Sequence, residues 1–227
     1  LEARREAAAT RYREAAAVLS QARAKAAKAL ASAVDARLPE LGRPDGHLYV
    51  ALLPQEAPSA TGAERVEYRV ALNLGHEARP LARVASGGEL ARVMLALKTI
   101  LARLDGVPTL IFDEVDAGIG GRTGLMVGDA MRDVAAHHQV FAITHLPQIA
   151  ARAHHHIVVS KGARGGVTTS DVLVVTDEAR VDEIGRMLGG STESATSREH
   201  ARELLATAQR PTSAALPASP QRARKRG

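Results

Sequence analysis

Two adjacent carboxylates, Asp113 and Glu114, close an apolar run of residues 110–112, Leu-Ile-Phe. An acid pair released at the C-terminal edge of a buried strand lies where open α/β sheets bind their ligands. One carboxylate can serve magnesium, a hard cation that prefers oxygen and keeps part of its water shell, while its neighbour polarises an attacking water. Ser86, Gly87, Gly88 and Glu89 precede Leu90, Val93, Met94, Leu97, Ile100 and Leu101, which recur at helical spacing. A serine and two glycines at a helix start expose N–H groups that have no intrahelical partner, and the helix dipole there favours an anion such as phosphate. The same residues also fit a plain serine N-cap on a core helix. His145 is a third polar residue at a strand end, one strand-helix-strand unit beyond Glu114.

The elements needed to position these residues are legible around them. Residues 109–114 and 139–145 read as strands on either side of a helix from about 122 to 136. The consecutive apolar positions of the first strand are those of a strand covered on both faces. A right-handed crossover places both strand ends on one edge of a parallel sheet. Upstream, residues 47–54 form an apolar stretch, and Val66, Tyr68, Val70, Leu72 and Leu74 alternate with Glu67, Arg69, Ala71 and Asn73. That period of two predicts a strand with one buried face, paired with its predecessor as an antiparallel hairpin. A second hairpin is expected around the Gly-Ala-Arg-Gly-Gly turn at 162–166, followed by helices at about 178–188 and 194–208.

Residues 1–38 contain no glycine or proline, are rich in alanine and are followed by Pro39. They predict one helix of about 57 Å, stopped where proline forbids continuation. Ala8, Tyr12, Ala15, Leu19, Ala22, Ala26, Ala29 and Ala33 repeat at alternating spacings of four and three. This heptad seam wants a partner helix, although the frequency of alanine also allows a long surface helix.

The chain has 227 residues, 45% of them apolar and 24% charged, with no cysteine. These values exclude a disulfide scaffold and a chain too polar to collapse. No apolar run approaches the roughly 20 residues of a membrane span, and no secretion signal is evident. The net charge of +5 is concentrated at the ends: residues 1–38 carry eight basic and four acidic side chains, and residues 211–227 carry four basic and no acidic ones. Attraction to phosphate backbones is therefore expected from the termini, where counterion release makes it salt-dependent. Residues 154–156 are three consecutive histidines, but neighbouring side chains on a strand point to opposite faces, which argues against a shared metal.

The order of glycine-flanked serine, acid pair and histidine resembles the C-terminal lobe of the ATP-binding-cassette heads of structural-maintenance-of-chromosomes (SMC) proteins, with a signature loop, a Walker B strand and a histidine switch. More narrowly, residues 72–98, 109–121, 141–161 and 180–190 resemble the RecN family of bacterial ATPases of DNA double-strand-break repair. The resemblance implies an α/β fold. It divides the chain into a returning coiled-coil helix at 1–38, the C-terminal lobe of an ABC ATPase head at 39–208 and a basic tail at 209–227. It implies ATP and Mg2+ as cofactors, with Asp113 serving the metal, Glu114 activating water and His145 contacting the γ-phosphate. Ser86, Gly87, Gly88 and Glu89 would then cap ATP held by a second head. The implied partners are that second head, the N-terminal Walker A half and DNA, with no membrane, in the bacterial cytoplasm at the nucleoid.

Two positions depart from the wider cassette pattern: Glu89 stands where transporters carry glutamine, and Gly120 where many relatives carry the D-loop aspartate, with Asp116 as a candidate substitute. The motif G-x-x-x-x-G-K-[ST], whose backbone and lysine cradle the phosphates, does not occur in the 227 residues. The chain is therefore expected to be the C-terminal half of a head and to lack ATP turnover by itself. A non-catalytic assembly module and a DNA-binding module are the alternatives.

Overall fold

The computed structural model describes residues 1–164, 167–189 and 194–208. They fall into two compact units, one from Leu1 to His156 and one beginning at Ile157.

The first unit begins with α1 (Glu2–Arg37), which ends one turn short of Gly42, where φ reaches +76° and the chain reverses. The helix lies on a hairpin of β1 (His47–Ser59) and β2 (Gly62–Ala71), paired antiparallel with Leu48 opposite Val70 and Val50 opposite Tyr68. A short β3 (Arg79–Pro80) adds to the far side of β2. The hairpin is the expected one, but β1 runs on to Ser59 through a register shift after Pro54. Its alternating face is buried only near the core: Val70 and Leu72 are enclosed, whereas Val66 and Tyr68 are 37% and 38% exposed.

The stripe of α1 turned toward the hairpin holds Ala9, Tyr12, Ala16, Arg23, Leu30 and Val34. Tyr12 Oη accepts the Ser59 N–H at 3.3 Å and Arg23 donates to Glu64 O at 3.2 Å. Apart from Tyr12, this stripe lies one residue beyond the heptad seam, which is about 100° of helix rotation. The hairpin therefore leaves most of the seam open: Leu19 reaches Gly62, but Ala8, Ala15, Ala22, Ala26 and Ala29 are exposed.

After a 3-10 turn at Leu81–Arg83 come α2 (Gly87–Leu101), β4 (Thr109–Phe112), α3 (Gly121–Ala135), β5 (Gln139–Ala142) and the single turn α4 (Pro147–Ala150). β4 and β5 pair in parallel, Thr109 with Gln139 through Phe112 with Ala142. Val93, Leu95 and Leu97 of α2 join Phe112, Val127, Met131, Val134 and the end of α1 in one core. The expectation of a strand covered on both faces holds for one face only. Phe112 is buried, but Ile111 is 70%, Phe141 45% and Ile143 60% exposed. Such an apolar face on a parallel sheet needs a covering layer that the described residues do not supply.

The connection from α2 to β4 is tied polar group by polar group. Lys98 pairs with Asp105, the Val107 N–H donates to Asp105 Oδ1 at 3.1 Å, and the His138 ring lies between Val107 O at 2.6 Å and Ala102 O at 3.1 Å. The hydrogen bond from Lys98, then that from Val107, holds the Asp105 carboxyl below its ordinary value of 3.8. A depressed carboxyl contributes stability above its unfolded pKa and loses it as pH falls through the folded one. Denaturant midpoints of the wild type are therefore expected to drop faster below about pH 4 than those of Asp105→Asn; parallel curves would remove the pair from this role.

In the second unit, β6 (His156–Arg164) and β7 (Val167–Val175) form a two-stranded sheet. Helices α5 (Asp177–Met187) and α6 (Ala195–Ala208) pack together around Ile184 and Ala201, with Glu178 bridging Arg198 and Arg202 at 2.7 Å each. The two strands and the two helices are those expected from the sequence, but β6 runs on through Arg164, and residues 165 and 166 of the expected turn lie outside the described residues. The basic tail at 209–227 lies outside the described residues.

Candidate functional site

Residues Asp113 and Glu114 leave β4 at its C-terminal end, and both are exposed. Ile143 N donates to Phe112 O at 3.0 Å, which extends the parallel pairing one step and puts His145 on the same edge, two residues further on. Asp113 Oδ1 accepts the Glu114 N–H at 2.9 Å, and Ala117 N closes the turn onto Glu114 O at 3.0 Å. These bonds hold Glu114 at φ 54°, a left-handed conformation that a non-glycine residue keeps only when its surroundings over-determine it.

Ser86 caps α2, its Oγ accepting the Glu89 N–H at 3.4 Å. The Ser-x-x-Glu spacing suggests a reciprocal capping box, but the Glu89 carboxylate instead meets Arg43 Nη1 at 2.8 Å. The unusual acid at the end of the signature is thus neutralised from the chain reversal below α1. Behind it, Gly87 and Gly88 let α2 approach the loop that follows β4. A Cβ on Gly87 would sit 2.4 Å from Glu114 Oε2, and one on Gly88 would sit 2.8 Å from both Glu114 O and Ala117 Cβ. The structure therefore brings Ser86, Gly87, Asp113, Glu114 and His145 to one exposed edge.

Three residues that sequence reasoning passed over or misplaced hold that edge together. Arg92 is 1% exposed and donates through Nη1 to Val115 O at 3.0 Å and Ala117 O at 2.9 Å. Burial, then the positive charge of Arg43, pushes its guanidinium pKa down from the ordinary arginine value. Asp116 is 4% exposed and faces inward, toward Thr144 and His145. It is therefore not a surface carboxylate that stands in for the D-loop aspartate. Arg43 was not singled out at all. The available signal was Arg92 itself, a charged residue on the stripe Gly88, Arg92, Leu95 and Ala96 that α2 buries.

A groove of about 290 Å³ runs between α2 and β4, lined by Leu90, Met94, Leu110 and Ile111, with Gly87 and Asp113 at its upper end. Its walls suit an apolar element of protein. Beside the signature, a hollow of about 190 Å³ is lined by His76, Arg79, Arg83 and Ser86. Among the described residues no group of three or more His, Cys, Asp or Glu could hold a metal, and the run at 154–156 forms no such cluster.

No family model matches the chain. A solved structure of the Smc head domain with a coiled coil and joint from Pyrococcus yayanosii superposes with a TM-score of 0.57 at 24% identity, covering 82% of this chain and 34% of that one. The fold is thus α/β and of the kind seen in SMC head domains, with a long helix at its N-terminus. By sequence, the chain is 45% identical over 198 residues to the DNA repair protein RecN of Xylella fastidiosa, with 86% of this chain and 36% of that protein aligned. Against the DNA repair protein RecN of Streptomyces coelicolor the identity is 44% over 202 residues, with 84% and 35% aligned. The chain belongs to the RecN family and spans about a third of the length of these relatives. No helix of the described residues is long and apolar enough to cross a membrane.

Proposed function

We propose that the chain is the C-terminal half of a bacterial DNA repair ATPase head, which binds and hydrolyses ATP between paired heads at the nucleoid during repair of double-strand breaks. The observation that carries this reading is the gathering of the acid pair, the histidine and the signature at the single edge where β4 and β5 end and α2 begins. In this division of the chain, residues 1–38 are the returning arm of a coiled coil, residues 39–208 the lobe, and residues 209–227 a basic tail available to DNA. The open seam of α1 receives the outgoing arm. The bare face of Ile111, Phe141 and Ile143 receives the N-terminal half, which also supplies the phosphate loop.

The residues present fit magnesium. Asp113 spends Oδ1 on its own turn and keeps Oδ2 for the ion, as suits a cation held by one or two carboxylates together with waters and phosphate oxygens. When bound, magnesium neutralises charge on the β- and γ-phosphates. Glu114 orients and polarises the attacking water, and His145 meets the γ-phosphate. Ser86, Gly87 and Gly88 offer N–H groups at the start of α2 to the γ-phosphate of ATP on the opposite head, with the charge of Glu89 screened by Arg43.

The test is reconstitution with the N-terminal half. Alone, the 227-residue chain is expected to show no ATP turnover; the mixture is expected to hydrolyse ATP in a magnesium-dependent way, and Glu114→Gln to lower that rate by roughly 10²-fold or more. Turnover by the isolated chain that Glu114→Gln abolishes would sink the half-head reading. Stable association with no hydrolysis would instead favour a non-catalytic assembly module, the reading that the bare apolar face also admits.

A further inference from the structure

We propose that Asp116 is a positioning residue for His145, holding the imidazole by Nδ1 so that a bare Nε2 faces the nucleotide side. The inference rests on the assignment of His145 to the γ-phosphate. One oxygen, Asp116 Oδ2, gathers three groups: Thr144 Oγ1 donates to it at 2.6 Å, the His145 N–H donates at 2.9 Å, and His145 Nδ1 lies 3.1 Å away. Thr144 Oγ1 in turn accepts the Leu146 N–H at 3.0 Å, so three consecutive residues are tied to this carboxylate.

The two hydrogen bonds are enough to fix the backbone of the loop; the approach of Nδ1 to the same oxygen at 3.1 Å bears on the ring. The Asp116 side chain is 6% exposed and that of His145 75%, so the ring is anchored at a buried acceptor and otherwise open. An ionised carboxylate can only accept, so an oxygen 3.1 Å from Nδ1 favours the Nδ1–H tautomer. Which imidazole nitrogen carries the proton is set by the partner of the other, so neutral His145 presents a lone pair at Nε2. That atom accepts from the O–H of a water beside the γ-phosphate.

Asp116 is held in turn by the backbone it belongs to. Val115 O and Ala117 O, on either side of it, both receive Arg92 from the signature helix. The carboxylate that aims the histidine is thus mounted on a loop clamped to the signature.

The experiment is a long-range 1H–15N correlation spectrum of the 15N-labelled 227-residue chain at pH 8.5, above the ordinary imidazole range, with His145→Gln assigning its signal among the nine histidines. The expected result is Nδ1–H at His145. Asp116→Ala is expected to lose that form in favour of the Nε2–H tautomer of a free imidazole, whereas Asp116→Asn, which keeps an accepting oxygen of the same shape, retains it. Nε2–H in the wild type overturns the proposal, as does an Asp116→Ala chain that melts lower but keeps its His145 tautomer. If Asp116→Ala does not fold, the wild-type spectrum alone decides. No nucleotide is present, so this outcome is independent of whether His145 reaches phosphate; the turnover of His145→Gln in the reconstituted mixture reads that separately.

Discussion

Arg92→Ala is expected to lower the unfolding free energy of the Leu1–His156 unit by about 3 kcal/mol, a large share of the roughly 5–15 kcal/mol that holds a domain together. The guanidinium is fully enclosed and both of its bonds run to the loop after β4. Truncation leaves Val115 O dry and without this donor, at about 1–3 kcal/mol, and adds the cost of the space vacated by a long side chain. Ala117 O is only partly buried, so water replaces its bond at small cost. Arg92→Met separates the two contributions. It refills most of the volume but restores no donor, and is expected to recover less than half of the loss. Hydrogen exchange supplies a second readout, because the Ala117 and His145 amides, which bond to Glu114 O and Asp116 Oδ2, should lose protection together. An Arg92→Ala chain within about 0.5 kcal/mol of wild type would mean that the clamp is not what holds this loop.

Much of the site was legible because its residues announce themselves locally. An apolar strand ending in Asp113 and Glu114, a glycine-flanked Ser86 before a helical repeat, and His145 one crossover later require only strand ends and a helix start to be placed, and the parallel pairing of β4 with β5 does that placing. What stayed hidden depends on contacts between segments distant in sequence. Arg43 meets Glu89 across 46 positions, and Asp116 meets Thr144 across 28; no local period reports either. Which stripe of α1 meets the hairpin was hidden for a related reason. With alanine on nearly every face, several registers fit the sequence, and the hairpin packs on the stripe next to the heptad seam.

The failure at β4 is informative in the opposite way. A strand apolar at consecutive positions belongs in the middle of a covered sheet, yet Ile111 and Ile143 stand mostly exposed, Ile111 in the wall of a groove of about 290 Å³. The pattern was read correctly, and the layer it calls for is not among the described residues. Exposed patches of this kind mark surfaces meant for protein. The apolar face and the exposed α1 seam therefore lie on the same unit as the proposed nucleotide edge.

Gly87→Ala and Gly88→Ala are expected to part stability from activity, although the two glycines are neighbours in one turn. At Gly88 the added methyl meets Glu114 O and Ala117 Cβ at 2.8 Å, and a backbone oxygen cannot swing aside. The helix start must move off the loop, at about 1–3 kcal/mol, which outweighs the up to about 1 kcal/mol that alanine gains over glycine in a helix. At Gly87 the obstacle is Glu114 Oε2 at 2.4 Å, the free end of a flexible and exposed side chain. That carboxylate can rotate away, so Gly87→Ala should unfold within about 0.5 kcal/mol of wild type. The rotation, however, removes Glu114 from the place where it would orient water, and misplacing a reacting group by about 1 Å costs on the order of 10²-fold in rate. Denaturation of the isolated chain and ATP turnover of the reconstituted head should thus rank the variants in opposite ways. Gly88→Ala should be the less stable, and Gly87→Ala should be nearly as stable as wild type but close to Glu114→Gln in rate. Turnover in Gly87→Ala near the wild-type value would show that Glu114 does its work from a position other than the one it holds against the signature.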